Sequence, residues 1–178
     1  MTLIIRQEIP ADYERVFTIT EAAFRDLDIS DHTEQHLVNR LRASQAFIPE
    51  LSLVAELDGE VVGHILFTRA TIIGENQTHD SLTLAPVSVA PEQQRRGIGG
   101  QLIRAGVQVA RELGFDNVNL VGHPDYYPRF GFVRASRYHI RVPFDVPDEA
   151  FMFLELTPGA LDQVSGELHY APEFGLAT

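Results

Sequence analysis

Apolar residues along this chain follow two rhythms, and the switches between them fall at turn-forming residues. "LIIRQE", residues 3 to 8, reads as a first strand. In "PADYERVFTITEAAF" the positions Tyr13, Val16, Phe17, Thr20 and Phe24 recur at spacings of three and four. That spacing predicts an amphipathic helix with Pro10 in its first turn. "DHTEQHLVNRLRA" predicts a second helix, with Asp31 as its cap, Glu34 at the third helical position, and Leu37 and Leu41 on one face. Two apolar-rich runs flank Asp58–Gly59, a pair suited to a tight turn with positive backbone angles, and so predict a hairpin. "SLTLAPVSVA" is the next strand. Pro86 inside it has no N–H to give a ladder, which predicts a bulge or an unpaired edge. Residues 97 to 113 predict a third helix, with Ile98, Leu102, Ala105, Val109 and Leu113 on one face and Gly114 at its end. "NVNLVG" is a short buried strand, "YHIRVPF" and "AFMFLELT" are two more, and "GELHYAPEF" adds a last one.

This order predicts one mixed α/β (α+β) domain over residues 1 to 178, with a helix crossover joining strands 81–90 and 117–122. Composition agrees: 44% of residues are hydrophobic and 22% charged, as in globular chains with a real core. No apolar run is long enough for a membrane span, and "MTLIIRQEIP" lacks the pattern of a signal peptide, so a cytoplasmic location is expected. There is no cysteine, which excludes disulfides, a cysteine nucleophile and cysteine metal sites. Net charge is −11 and every basic residue is arginine. The only basic cluster is Arg95–Arg96, so nucleic acid is not an expected partner.

Chemistry concentrates in "VAPEQQRRGIGGQL", residues 89 to 102. A strand running into a glycine-rich turn and then a helix suits phosphate. The first amides of a helix have no internal partner, and the helix dipole is positive there. A P-loop needs a glycine at position 102 followed by lysine, but Leu102 stands there and the chain has no lysine. A dinucleotide fingerprint beginning Gly97-x-Gly99 also needs a glycine at 102.

A third pattern, Gln94-x-x-Gly97-x-Gly99, resembles the acyl-CoA-binding motif of the GNAT superfamily of N-acetyltransferases. Its surroundings carry the resemblance further. "VSVAPE" (87 to 92) is similar to the strand that precedes the family's motif, Leu102 stands three residues after the second glycine, and "YYPRFGF" (126 to 132) occupies the place of the family's aromatic pair and Gly-Phe terminus. The likeness is strongest over residues 81 to 135. Within the superfamily the chain resembles a bacterial group of N-acetyltransferases with "YYPRFGF" near the middle.

The resemblance implies a central, mostly antiparallel mixed sheet flanked by helices and splayed between the strands at 81–90 and 117–122. It implies acetyl-CoA as co-substrate, no metal, and direct transfer of the acetyl group to a primary amine, small or protein-borne. The alternative it leaves open is a non-catalytic module that binds or senses acyl-CoA. The cofactor-binding residues it implies are Gln94, Arg95, Arg96, Gly97, Ile98, Gly99 and Gly100 at the pyrophosphate, and the main chain of Val87 and Val89 at the pantetheine arm and thioester oxygen. Tyr127 aligns with the tyrosine that protonates the departing thiolate, whereas Tyr126, Phe130 and Phe132 read as packing residues. Two prolines in "GHPDYYPRFGF" leave room for only a short helix there. They also displace the family's asparagine, for which His123 or Asp125 could stand in.

A general base needs an imidazole or carboxylate. Glu34, His64 and Asp125 are the candidates, although Glu34 also suits a helix cap and His64, mid-strand among apolar residues, suits a structural role. His32 and His36 are explained as helix-surface residues. The acceptor is expected between the early helices and the strand ends opposite CoA. Oligomeric state is left open, a homodimer included.

Overall fold

The computed structural model describes residues 1–176. Nine strands form one sheet: β1 (Leu3–Gln7), β2 (Phe47–Leu57), β3 (Glu60–Ile73), β4 (Thr78–Val89), β5 (Asn117–Val121), β6 (Val133–Arg134), β7 (Ile140–Arg141), β8 (Phe151–Glu155) and β9 (Gly166–His169). The main path runs β1-β2-β3-β4-β5-β8-β6, and β9 pairs with β3 and β7. All pairs on the main path are antiparallel except β4–β5, which the crossover helix makes parallel. The helices are α1 (Tyr13–Phe24), α2 (Glu34–Arg42) and α3 (Ile98–Glu112).

Alternation along β3 assigns the two layers. Ile65 and Phe67 face α3 and pack with Leu102, Ile103 and Val107. Leu66 faces the other way, against Leu41 of α2. Val16 and Ile19 of α1 join Val38 and Val54 on that second side. The hairpin between β2 and β3 turns where expected, with Asp58 and Gly59 at φ +50 and +90°.

The Pro86 interruption is a bulge. Between the pairs Ile65↔Val87 and Phe67↔Leu84, β4 spends one residue more than β3. An extra residue reverses the alternation. Leu82 and Leu84 on one side of the bulge, and Val87 and Val89 on the other, therefore all pack toward α3.

Beyond the bulge the sheet opens. The β4–β5 register consists of Leu82↔Val118 and Thr83↔Asn119. A buried polar ladder fastens that end. Ser81 Oγ donates to Asn117 Oδ1 at 2.5 Å, Thr83 Oγ1 to Asn119 Oδ1 at 3.1 Å, and Asn119 Nδ2 to the Leu82 carbonyl at 2.9 Å. From Leu84 onward β4 has no partner on this side among the described residues, so the expected splay is present.

Several expectations shift in detail. The first helix begins as a 3-10 turn, Pro10–Asp12. The cap of α2 lies two residues later than expected: Thr33 precedes the helix, and Asp31 Oδ1 accepts from the Thr33 amide at 2.9 Å and from its hydroxyl at 2.7 Å. The inward stripe of α3 is rotated toward Ile103, Gly106, Val107 and Ala110, leaving Leu113 43% exposed. Gly106 on that stripe, and Gly100 earlier in the helix, hid it from a reading by apolar side chains. "YHIRVPF" forms a strand of only two residues, and β6 carried no periodic signal because it is equally short.

Candidate active site

Two sets of open amides face the splay. In an antiparallel ladder, alternate residues turn their main-chain groups to the partner. The Ala90 amide donates to the Val62 carbonyl at 2.8 Å, and Ser88 pairs with His64 two residues back. Val87 and Val89 consequently turn theirs away from β3, toward the space β5 has vacated. The Val89 carbonyl confirms this orientation by accepting from Gln94 Nε2 at 3.0 Å. That bond ties the glycine turn to the end of β4, giving Gln94 a role in shaping the turn.

The second set is the head of α3. Gly97 caps it at φ +81°, a conformation in which an L side chain is strained, and a Cβ there would point into open space. The first bond of the helix runs from the Gln101 amide to the Gly97 carbonyl at 3.1 Å. The amides of Gly97, Ile98, Gly99 and Gly100 have no backbone acceptor among the described residues. Arg95 and Arg96 are exposed, and Arg96 is held by Gln93 Oε1 and, at 3.2 Å, by Met1 Sδ.

"YYPRFGF" folds into a single 3-10 turn, Tyr127–Phe130, in keeping with Pro124 before it and Pro128 within it. Tyr127 lies over Gly122, where an added Cβ would come within 2.4 Å of its ring, and stacks edge-on against Phe132 at 5.9 Å. Burial pushes its phenol up to about 12, with Tyr126 adding to the effect. Phe130 packs against Gly100, its ring 3.5 Å from where a Cβ would sit. Tyr126 is more than a packing residue, because its hydroxyl lies 3.4 Å from the Cβ position of Gly99, at the turn itself. Its neighbour's match to the family pattern drew attention from it.

Arginines missed in the sequence lie alongside. A cavity of about 360 Å³ between α3 and the 3-10 turn is lined by Arg104, Arg111 and Arg129 with Val107 and Phe130. Arg104 stacks over Phe130 at 4.8 Å and Arg129 over Tyr126 at 4.7 Å. In a chain of net charge −11 this is a local concentration of cations. A larger groove of about 770 Å³, lined by His79, Asp80, Phe115 and Asp116, lies at the opposite ends of β4 and α3. A helix of this length separates it from the turn by roughly 20 Å.

The three candidate bases are dispersed. Asp125 is exposed in a loop, its amide donating to His123 Nδ1 at 3.2 Å. Glu34 Oε1 accepts from Ser30 Oγ at 2.5 Å, so it braces the entry to α2. His32 Nδ1 meets the Phe24 carbonyl at 2.9 Å, and His36 packs edge-on to Phe17. His64 is fully buried. Its Nε2 lies 3.0 Å from Ser52 Oγ, which donates to Glu8 Oε2 at 2.7 Å, and Glu8 pairs with Arg42.

Burial holds His64 down to about 4 from 6.5; Glu8 and Asp12 pull upward and Arg42 downward. Between those two values the unfolded chain binds a proton that the folded one refuses. Stability from His64 is therefore complete above pH 6.5 and is lost as pH falls toward about 4. Urea midpoints at pH 7 and pH 5 should show this loss, and His64→Gln should shrink it.

A parallel strand pair that parts beyond a bulge, with a glycine-capped helix pointing open amides at the gap, makes a site for a long phosphate-bearing ligand, the arrangement the resemblance implies for an acetyltransferase. Comparison with known proteins agrees. The family model described as acetyltransferase (GNAT) family matches residues 16–132. The uncharacterized N-acetyltransferase YjhQ of Escherichia coli K12 is 44% identical over 117 residues, 65% of this chain and 65% of that protein's length. The uncharacterized N-acetyltransferase YhbS of the same strain is 31% identical over 173 residues, 97% and 98% of the two chains. Among solved structures, a GNAT family acetyltransferase from Brucella melitensis in complex with acetyl-CoA superposes with TM-score 0.80 at 36% identity, covering 97% and 98%. E. coli YhbS in complex with CoA gives 0.85 at 28%, covering 99% and 93%. The chain belongs to the acetyltransferase (GNAT) family, whose members draw the acetyl group from acetyl-CoA. Among the described residues no helix is long and apolar enough to cross a membrane.

Proposed function

We propose that this domain transfers the acetyl group of acetyl-CoA to a primary amine by direct attack, with donor and acceptor bound together. The observation that carries the reading is the row of amides from Gly97 to Gly100 that have no backbone acceptor among the described residues, beside the edge of β4 that β5 leaves unpaired. The amides from Arg95 to Gly100 hold the pyrophosphate, aided by the helix dipole. Gln94 fixes the turn through the Val89 carbonyl. The arginine cavity beside α3 supplies charge for the nucleotide end. The main chain of Val87 and Val89 meets the pantetheine arm, and an amide there polarises the thioester oxygen, a contribution of a few kcal/mol in such sites. With no cysteine in the chain, no acetyl-cysteine intermediate forms. The acceptor amine attacks the thioester carbon, the C–S bond breaks, and Tyr127 gives its proton to the departing sulfur. A phenol raised to about 12 keeps that proton until a thiolate develops beside it.

The test is thiol release from acetyl-CoA across a panel of small and peptide amines. Acceptor-dependent release is expected, and Tyr127→Phe should lower kcat by about thirtyfold, with Tyr126→Phe as the comparator. Tight CoA binding without release across a broad panel would identify a sensing module instead.

A further inference from the structure

His64 has a feature that a purely structural histidine does not need. The Ser52 hydroxyl proton is committed to the Glu8 carboxylate, because an ionised carboxylate only accepts. Ser52 Oγ must then accept from His64, which places the imidazole hydrogen on Nε2. The other nitrogen, Nδ1, carries a bare lone pair. It is fully buried and has no hydrogen-bond partner among the described residues. Buried polar atoms are rarely left so.

What faces this lone pair is set by the sheet. His64 lies directly opposite Ser88 on β4. Cross-strand neighbours have Cβ atoms about 5 Å apart, within reach of a hydroxyl rotation or one water. Ser88 is buried and its Oγ lies 3.2 Å from Thr20 Oγ1 of α1. In sequence it stands between Val87 and Val89, the residues whose main chain opens onto the splay. From Nε2–H the observed hydrogen bonds run to Ser52 and end at the Glu8–Arg42 pair, and Ser88, opposite His64 in the register, is the hydroxyl placed to extend them toward the splay. The charged and titratable groups around the imidazole are Glu8 after β1, Asp12 before α1 and Arg42 of α2; β2 and β4 contribute Ser52 and Ser88.

We propose that His64 receives the proton of the attacking amine through the Ser88 hydroxyl, with Ser52 and Glu8 holding it in the accepting tautomer. As the amine nitrogen bonds to the thioester carbon, its proton passes to Ser88 Oγ and the Ser88 proton passes to Nδ1. The C–S bond then breaks and the sulfur takes its proton from Tyr127. His64 returns its proton to solvent along the same path, and Tyr127 is reprotonated from solvent. His64 acts through Ser88 rather than on the acceptor, and because burial disfavours its charged form it is neutral at physiological pH and holds the proton only in passing. The role rests on the acetyltransferase reading above.

The experiment compares wild type, His64→Gln, Ser88→Ala and the double variant. Gln keeps an N–H for Ser52 but has no basic nitrogen, and Ser88→Ala cuts the path with little change in volume. Each single variant is expected to lower kcat at least tenfold and to leave KM for acetyl-CoA within twofold. The double variant should be no slower than the worse single one, because both interrupt one path. ¹⁵N NMR of labelled histidine should show the Nε2–H tautomer for His64 at pH 7. Wild-type kcat in either variant, multiplicative losses in the double variant, or the Nδ1–H tautomer overturns the proposal while leaving acetyl transfer intact. No acceptor-dependent thiol release from the wild-type protein overturns both.

Discussion

Gly106→Val should destabilise the protein by at least about 3 kcal/mol, the upper part of the range for overpacked cores, and lower its melting temperature by roughly 10 °C. Gly106 lies on the inward stripe of α3, where a Cβ would stand 2.2 Å from Phe67 Cε2 and 2.6 Å from Cζ. Phe67 has no exposed surface and sits in the middle of the core shared by β3 and α3, so its ring has nowhere to turn. Helix propensity pulls the other way by less than about 1 kcal/mol, because valine is a better helix former than glycine, and the overlap wins. Calorimetry of the variant checks the loss. The double variant with Phe67→Leu provides the control. If the ring is the obstacle, the double variant loses less than the sum of the singles, by about 1 to 2 kcal/mol. Equal losses with and without the ring would place the cost elsewhere.

Gly106 also shows why part of the fold was illegible in the sequence. In sequence Ala105, Val109 and Leu113 supply the helical spacing and point to a different face. The real stripe has a glycine where the helix comes nearest the sheet, and an absent side chain leaves no periodic mark. The long elements were legible because their signals were redundant. The β2–β3 hairpin combines two apolar runs with an Asp-Gly pair, and both residues do adopt positive φ. The two-residue strands β6 and β7 depend on pairing with β8 and β9, far away in sequence, and no local window contains that information.

Within the site, the motif located the turn and the open strand, because each is made by consecutive residues. What it could not supply were groups brought together across the fold. Tyr126 reaches the head of α3 only because "YYPRFGF" folds back over Gly99 and Gly100. The groups around His64 come from positions 8, 42, 52 and 88, and mid-strand apolar surroundings made it look inert. Burial was foreseen correctly, whereas the tautomer, and with it the unpartnered Nδ1, depends on the direction of one serine hydroxyl.

Replacing Gly99 by valine should weaken CoA binding by about a hundredfold, equivalent to about 2.7 kcal/mol, while leaving the fold intact. The reasoning separates the needs of the helix from those of the ligand. No positive φ is required at Gly99, and a Cβ there would meet nothing nearer than the Tyr126 hydroxyl at 3.4 Å and Val89 Cγ2 at 3.8 Å. The helix alone therefore accepts a β-carbon, and the methyl groups of valine extend from it into the space beside Tyr126 and Val89. The space such a side chain would fill is the mouth between the first turn of α3, Val89 and Tyr126, through which the pyrophosphate and pantetheine must pass on the proposed reading. A glycine kept where the fold does not demand it points to the ligand. The exposed arginines should matter less, since a long side chain in water contributes little and is screened by salt. Arg96→Ala, and Arg95→Asn with a residue that tolerates the φ of +62° found there, should raise Kd only a few-fold, and less at high salt. Titration calorimetry with CoA at two salt concentrations, alongside thermal melts, measures all three variants. A Gly99→Val protein that melts like the wild type and binds CoA equally well would remove the turn from the binding site.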